Sequence, residues 1–327
     1  MSASGGATRL LRCGYADELS YSRLAWRSRQ LWQEIERESG RSLFLEVGVT
    51  WLAANDGGYE AKSERSLRQL GIPVERLSQK GLRELFPELV CDADLHFGVR
   101  EPAAGVLRAR LAVQTITELA IEQGVDLRRE EVLAEDIDAI ADRRADSDDQ
   151  VFWCCGASLG KLFPGVVPVY ATEQSELYLD GNSSWRCPPF GAWIDDGSGV
   201  YGIGDVAGDG VKVAWDHVGP EGDPDVLHEG DTHEPEIREY LRRRFPVLSE
   251  ASVRGVIACH YEMAPGGEFV IARHPTIQNT WIVGGGSGHG FKHGPAVAEY
   301  VWKLVERGDK PDRRFGLDRV GGLASVR

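Results

Sequence analysis

The chain lacks the features by which several classes of protein are recognised. No apolar run in its 327 residues approaches the roughly 20 residues that a membrane-spanning helix needs. Lys and Arg number 37 against 51 Asp and Glu, which gives a net charge of -14. Nucleic-acid and anionic-membrane surfaces both need clustered positive charge, so the composition disfavours both. It favours a small molecule or another protein as the partner.

Cysteine and histidine are too dispersed to predict a metal site. The six cysteines form no Cys-x-x-Cys pair, and the eight histidines form no two-histidine helical motif with a nearby acid. We expect reduced thiols, most of them buried as small apolar side chains. The cysteines are Cys13, Cys91, Cys154, Cys155, Cys187 and Cys259. Met1 to Ala7 are small and polar rather than a charged and then apolar leader, which indicates a cytoplasmic protein.

The spacing of apolar residues predicts a mixed α/β fold. A 42% hydrophobic content over this length is enough for two domains or one large α/β unit. Helical spacing predicts helices over residues 21–38, 62–70, 109–123 and 295–306. Strands are predicted over 44–53 and 125–128, and the acidic stretch 130–150 is predicted to be a loop or hairpin.

Two further kinds of strand are predicted. Val151 to Cys155 is a continuous apolar run, typical of a strand buried on both faces of a parallel sheet. Alternating segments over 173–179, 199–203, 210–216 and 256–263 indicate an antiparallel sheet with one solvated face. The expected architecture is a mostly parallel layer with helices, interrupted by an antiparallel sheet that binds the substrate.

A glycine-rich segment near the end of the chain is the strongest local signal. Residues 281–283 predict a short strand, residues 284–290 (GGGSGHG) follow it, and a helix comes next. Such a turn exposes backbone N–H groups and the positive end of a helix to an anionic or electron-rich ligand. The spacing is not Gly-x-Gly-x-x-Gly, because His289 and Phe291 occupy the third positions after Gly286 and Gly288. A purely structural tight turn is the alternative.

Five segments, in order along nearly the whole chain, resemble one enzyme family. They are residues 8–12 (TRLLR), residues 101–107 (EPAAGVL), the pair Tyr201 and Lys212, residues 255–261 (GVIACHY) and residues 287–292 (SGHGFK). Together they resemble the flavin-dependent amine and amino-acid oxidases of the monomeric sarcosine oxidase type, which are similar to the D-amino-acid oxidases. The last segment closely resembles the C-terminal flavin-site motif of that family.

The resemblance implies FAD as the cofactor and assigns roles to individual residues. It implies that the flavin is contacted by Arg9, Gly286, Ser287, Gly288, His289, Gly290 and Phe291. It places Cys259 where the family links a cysteine covalently to the flavin, and leaves the attachment in this chain open. Lys212 takes the position of the lysine that promotes reaction with molecular oxygen, and Tyr201 that of the active-site tyrosine. Arg12 and Lys292 take the positions that face the substrate.

The implied roles suit the chemistry of these side chains. Arg12 offers a planar two-point fork for a substrate carboxylate, and Lys292 adds a second positive charge. A cationic Lys212 would stabilise negative charge that develops as oxygen accepts an electron. Without the resemblance, the arginines fit surface ion pairs, Lys212 fits the solvated face of a strand, and Cys259 fits a buried thiol.

The resemblance implies oxidation of the C–N bond of a secondary amine or amino acid, giving an imine and hydrogen peroxide. The alternatives are a flavin-dependent dehydrogenase or tailoring enzyme for a cyclic imino acid, and a truncated, cofactor-free binding protein that keeps only the scaffold. One departure is visible. The family commonly has a histidine four residues after the oxygen-reactive lysine, whereas here Asp216 holds that position and His217 follows. An acid near the amine favours a cationic group.

The resemblance also predicts a discontinuous arrangement of two domains. An FAD-binding Rossmann-like domain is expected over residues 1–40, 104–170 and 255–327, and a substrate domain with a mostly antiparallel sheet over 41–103 and 171–254. The family begins with a strand, Gly-x-Gly-x-x-Gly and a helix, which residues 1–9 do not supply. The expectation is therefore an incomplete FAD-binding domain, completed by a segment upstream of a misplaced start or by a partner chain.

Overall fold

The computed structural model describes residues 5–142, 147–226 and 232–318, and these residues form a mixed α/β fold, as predicted. The strands of this part are β1 Arg9–Leu11, β2 Phe44–Leu45, β3 Val49–Ala53, β4 Glu75–Ser78, β5 Phe97–Glu101, β6 Gly105–Leu107, β7 Val151–Trp153, β8 Tyr170–Leu179, β9 Arg186–Cys187, β10 Ala192–Asp195, β11 Val200–Ile203, β12 Asp205–Val206, β13 Val211–Trp215, β14 Glu221–Gly222, β15 Val253–Met263, β16 Val270–Arg273 and β17 Thr280–Gly284. The α-helices are α1 Leu19–Ser39, α2 Tyr59–Gln69, α3 Gln79–Leu85, α4 Ala109–Glu122, α5 Ile137–Asp142, α6 Leu159–Leu162, α7 Glu234–Arg244, α8 Pro246–Ser249 and α9 Gly294–Arg307.

The largest sheet provides one wall of the site. Its strands run in the order β14-β8-β13-β11-β10-β3-β5-β4, and β15 also pairs with β8. Side chains alternate between the two faces of a strand. On one face, Leu177 and Val213 pack into the same core cluster as Leu241 and Phe245, from α7 and the residue that follows it. The opposite face of β8, β13 and β15 is therefore free to carry the polar side chains of the site.

A three-stranded sheet positions the glycine-rich segment. Its order is β16-β17-β7, with β17 antiparallel to β16 and parallel to β7. Trp281 of β17 is fully buried, because it shares a core cluster with Tyr21 of α1 and Val301 of α9. A further sheet in the order β1-β6-β2 holds Arg9 opposite Leu107. These contacts fix the two segments, at opposite ends of the chain, that bound the site.

The structure confirms the long periodic helices and corrects several weaker predictions. No strand forms over 125–128, where Val125 and Leu127 are 55% and 63% exposed and so gain nothing from pairing. The stretch 130–150 contains a 3-10 turn at Ala134–Asp136 and helix α5, anchored by the buried Ile137, and residues 143–146 lie outside the described part. The predicted mostly parallel layer is wrong as well, since the pairing that is described is parallel only for β17–β7, β10–β3 and β12–β9.

The predicted doubly buried strand at Val151 to Cys155 is also only partly correct. β7 stops at Trp153 and lies at the edge of its sheet, so Phe152 is 40% exposed. Cys154 and Cys155 follow the strand and are exposed, contrary to the prediction for most thiols. Cys13, Cys187 and Cys259 are buried and Cys91 is half-buried, and all six are unbridged.

Across the three described ranges, no helix is both long and apolar enough to cross a membrane. The amino-terminal leader prediction concerns Met1 to Ala7, of which the first four residues lie outside the described part.

Candidate active site

One cavity of about 1210 Å³ lies between the large sheet, β1 and the glycine-rich segment. Nearly every residue singled out from the sequence lines it, although these residues come from distant parts of the chain. They are Arg9, Arg12, Tyr201, Lys212, Gly286, Ser287, Gly288, His289, Gly290, Phe291 and Lys292. Cys259 is the exception: it is buried and does not line the cavity, although it lies on the same face of β15 as Tyr261, which does.

The glycine turn, residues 284–290, is shaped by backbone constraints. Gly285 and Gly288 have φ values of 73° and 79°, which favour glycine. A Cβ on Gly288 would lie 2.7 Å from the Tyr261 ring, so the turn packs directly on β15. Ser287 adopts a φ of 43°, uncommon for a non-glycine residue, and its hydroxyl accepts the Ala264 N–H at 3.2 Å. The turn is therefore held in one conformation against the cavity.

Sheet register brings the catalytic candidates of the large sheet onto one face. β11 and β13 pair antiparallel, with Tyr201 opposite Ala214 and Ile203 opposite Lys212. Lys212 is in turn opposite Tyr178, so it lies on the same face as Tyr201 and the neighbouring Glu176. The Lys212 ammonium lies 5.5 Å from the centre of the Tyr201 ring. Lys212 is 1% exposed, so the alternative of a solvated strand face is wrong.

Glu176 joins two of the predicted cations in a buried ion pair network. Its Oε1 accepts from Lys212 Nζ at 2.6 Å and from Arg9 Nη1 at 3.0 Å. Its Oε2 accepts from the Tyr178 hydroxyl at 3.1 Å. Burial opposes ionisation of Glu176, but the charges of Lys212 and Arg9 lower its pKa below the ordinary value. We call Arg9, Glu176 and Lys212 the Glu176 triad; its carboxylate holds both cations at the cavity wall.

Arg12 and Lys292 form a second pair of cations with a different environment. The Arg12 guanidinium lies 4.7 Å from the centre of the Tyr15 ring and 4.8 Å from that of Trp51. Lys292 Nζ lies 5.0 Å from the Tyr15 ring and donates to the His289 carbonyl at 3.2 Å. Neither cation has a carboxylate within 4 Å in the part of the chain that the structure describes.

The electrostatics of this second pair favour an incoming anion. Burial, followed by the charge of Arg12, lowers the pKa of Lys292 well below its ordinary value. Lys292 is 4% exposed, so water cannot replace the missing counter-ion. An anion bound between Arg12 and Lys292 would reverse this shift, because an adjacent opposite charge favours the protonated amine.

A hydrogen-bonded relay supports this end of the cavity. The Tyr15 hydroxyl lies 3.1 Å from His289 Nδ1 and 2.7 Å from His293 Nε2. His289 Nε2 lies 3.0 Å from the Gly267 carbonyl, to which it must donate. Nδ1 of neutral His289 therefore accepts from Tyr15, and His293 Nε2–H donates to the Tyr15 oxygen. Burial, followed by Lys292, lowers the pKa of His289 to about 3, so His289 is neutral near pH 7.

The cavity fits FAD. Its volume exceeds the roughly 300–1000 Å³ of ordinary small-molecule sites, as a dinucleotide requires. Glu262 Oε1 accepts the Gly286 N–H at 2.9 Å, while the buried Oε2 has no hydrogen-bond partner in the described part of the chain. That free acceptor, beside the glycine turn, suits a ligand hydroxyl or N–H. The turn, Arg9 and Glu262 are the residues that would hold the cofactor.

Sequence reasoning missed several polar residues of the site. These are Tyr15, Glu176, Glu262 and His293. Glu176 had one detectable signal, since it alternates with apolar residues in residues 173–179 and so shares a strand face with Gln174 and Tyr178. Tyr15 lies only three residues beyond Arg12, but nothing local indicates that its hydroxyl meets two histidines near the end of the chain.

These features define a protein with a cofactor-sized cavity, a fixed cationic wall and a separate cationic pocket for a small anion. Residues 1–304 match the family model described as DAO, FAD dependent oxidoreductase. The chain therefore belongs to the DAO family of FAD-dependent oxidoreductases. The predicted enzyme class and cofactor are confirmed, and the scaffold-only alternative is disfavoured.

Individual relatives cover most of the chain. It is 30% identical over 325 residues to monomeric sarcosine oxidase from Streptomyces avermitilis, covering 94% of this chain and 84% of that protein. It is 27% identical over 327 residues to N-methyl-L-tryptophan oxidase from Yersinia pestis, with the same coverage. Among solved structures, glycine oxidase from Geobacillus kaustophilus superimposes with a TM-score of 0.79, at 18% identity over 98% of this chain and 90% of that one. L-Proline dehydrogenase from P. horikoshii gives a TM-score of 0.77, at 20% identity over 96% and 85%.

Proposed function

We propose that the protein oxidises the C–N bond of a secondary amine or amino acid that carries a carboxylate, releasing an imine and hydrogen peroxide. One observation carries the proposal: Arg12 and Lys292 face the same cavity, and no carboxylate lies within 4 Å of either in the described ranges. Two enclosed cations without a counter-ion are a binding site for an anion. A substrate carboxylate supplies that anion.

The remaining residues fit the same reaction. FAD, when bound, accepts a hydride from the carbon next to the substrate nitrogen and passes the electrons to oxygen. Tyr201 lines the cavity beside Lys212 and would orient the substrate. Lys212, held by Glu176, would stabilise negative charge as it develops on oxygen. The two relatives above support this proposal, since both are named for the oxidation of an N-methylated amino acid.

The proposal includes the predicted division of the chain. Residues 1–40, 104–170 and 255–327 would form the FAD-binding domain, and residues 41–103 and 171–254 the substrate domain. The glycine turn of the first and Tyr201 and Lys212 of the second both line the cavity, which supports this division. The reaction would then occur where the two domains meet.

We also propose a covalent bond between Cys259 and the flavin. Cys259 is near the Glu176 triad, whose charges act on its thiol, and lies two residues before Tyr261, which lines the cavity. Burial, followed by Glu176, raises the pKa of the thiol to about 11, so the reacting thiolate is a minor species at neutral pH. Attachment would therefore be slow and would require the flavin to be seated first.

The test is to incubate the purified chain with FAD and to assay hydrogen peroxide with sarcosine, N-methyl-L-tryptophan, glycine and L-proline. Peroxide from at least one amino acid is expected, and a Lys212→Met variant should form it more slowly. Reduction of an artificial electron acceptor without peroxide would favour the dehydrogenase instead. Bound FAD that none of the four amino acids reduces would contradict the proposal. Acid precipitation of the same sample should leave flavin on the wild-type chain and none on Cys259→Ser; complete release from both would disprove the covalent bond.

A further inference from the structure

Asp216 is one of four acidic residues of the described ranges that line the cavity; the others are Asp195, Asp196 and Glu262. It follows β13 directly and lines the cavity, half-buried. Its backbone is fixed, because its N–H donates to the Gly199 carbonyl at 2.6 Å. Its carboxylate forms no ion pair with any described residue and accepts a single weak hydrogen bond, from the Tyr261 hydroxyl at 3.5 Å.

Two other acids near this part of the cavity, Asp195 and Glu176, have structural partners. Asp195 Oδ2 accepts from Arg244 Nε at 3.2 Å, and its Oδ1 accepts the Ser198 N–H at 3.2 Å. Glu176 is shared by Arg9 and Lys212. Asp216 differs from both, because its second carboxylate oxygen is left for a group that enters the cavity.

Asp216 is also close enough to act on the Arg12–Lys292 pair. Burial is the largest influence on the pKa of each of these cations, and Asp216 is among the anionic groups that raise both. Geometry agrees, since the Tyr261 ring, whose hydroxyl donates to Asp216, packs against Gly288 of the turn that leads to Lys292. A positive and a negative subsite therefore share one end of the cavity. An α-amino acid carries a carboxylate and an ammonium separated by one carbon, so a zwitterion complements this arrangement.

We propose that Asp216 binds the cationic nitrogen of the substrate, so that the site selects zwitterionic amino acids whose carboxylate lies against Arg12 and Lys292. The inference rests on the proposed function and narrows its substrate class to basic alkyl amines, which are protonated near pH 7. Carboxylates whose nitrogen is an amide or is bonded to an aromatic ring lack that charge and would bind weakly.

Two ligands of the same shape isolate this interaction. Glycine betaine carries a permanent positive charge on its trimethylated nitrogen, and 3,3-dimethylbutyrate replaces that nitrogen by carbon. Neither can be oxidised to an imine, so calorimetry on the FAD-loaded protein reports binding alone. We expect betaine to bind about tenfold more tightly than 3,3-dimethylbutyrate, because its quaternary nitrogen has no N–H to donate but is still attracted to the Asp216 carboxylate by its charge.

Variants separate this inference from the proposed function. Asp216→Asn should abolish the preference while leaving the affinity for 3,3-dimethylbutyrate within about twofold, because the carboxylate subsite is untouched. Asp216→Ser should likewise abolish the preference for betaine over 3,3-dimethylbutyrate. Asp94→Asn, at an exposed position, is the control and should retain the wild-type preference. Equal affinity of the wild-type protein for the two ligands would overturn the role of Asp216. Failure of both ligands to bind would overturn the carboxylate subsite, and with it the proposed function.

Discussion

Two pairs of cations face the same cavity and differ in whether their members share a carboxylate. Arg9 and Lys212 share the carboxylate of Glu176, whereas Arg12 and Lys292 have no such partner in the described part of the chain. The first pair is complete without a ligand, and the second is complete only with one. The difference indicates which charges maintain the structure and which bind the substrate.

The comparison also explains why aromatic rings surround the Arg12–Lys292 pair, whereas Lys212 has both the Tyr201 ring and the Glu176 carboxylate beside it. Tyr15 and Trp51 lie beside Arg12, and Tyr15 also lies beside Lys292. An aromatic face stabilises a cation by about 0.5–2 kcal/mol without cancelling its charge. The Arg12–Lys292 pair is thus kept in place and still attracts an anion, whereas a carboxylate would have satisfied it.

The largest effect is expected from removing the substrate-binding charge. Arg12→Gln should lower kcat/KM for the best amino-acid substrate about 100- to 1000-fold, because the carboxylate loses its bidentate partner. Steady-state peroxide kinetics measure this change. Arg65→Gln, at an exposed position of α2, is the matched control and should have no effect. A loss below about threefold in Arg12→Gln would remove the distinction between the two pairs.

Removing the shared carboxylate should destabilise the protein rather than weaken substrate binding. Glu176→Gln removes the carboxylate that holds the buried Lys212 ammonium, and we expect the free energy of unfolding to fall by about 3 kcal/mol. Urea unfolding of the FAD-free chain measures this change. The double variant Glu176→Gln/Lys212→Met removes the buried ammonium as well and should recover part of the loss. A single variant as stable as the wild type would show that the triad is not structural.

The smallest of the three effects concerns acid stability and comes from the relay behind Lys292. The pKa of His289 is about 3 in the folded protein, against about 6.5 for an unperturbed histidine. Between these values the unfolded chain binds the additional proton, so His289 makes stability fall as pH decreases from about 6.5 toward about 3 and has no effect above that window. A loss of about 2 kcal/mol is expected between pH 6.5 and pH 4.5.

His289→Gln is the informative variant for that prediction. Glutamine offers an acceptor and a donor in place of Nδ1 and Nε2 but does not titrate. Its unfolding free energy, followed by urea titration at several pH values, should decline less steeply than that of the wild type. The decline should not vanish, because burial also lowers the pKa of His293. Identical slopes would contradict the protonation states assigned to the relay.

The sequence allowed prediction of features set by local spacing. Tyr201 and Lys212 are eleven residues apart and lie on neighbouring antiparallel strands, and the glycine turn follows directly from the strand, turn and helix pattern. Glu176 was not predicted because it lies on β8, whereas its partners Lys212 and Arg9 lie on β13 and β1. No local pattern in the sequence relates these three strands to one another. The wrong strand prediction over 125–128 has the same cause, because the apolar residues there have no neighbouring strand to pair with in the described part of the chain.

Strand β1 places a constraint on any motion of the site. Arg9 begins this three-residue strand and Arg12 follows its end, so one short segment carries a member of each cation pair. It is attached to β6 through three residue pairs. A displacement that moved Arg9 away from Glu176 would carry Arg12 with it. If the proposed roles hold, a displacement on the oxygen-reacting side would therefore also shift the side that binds the amino acid, and the two halves of the catalytic cycle would be coupled.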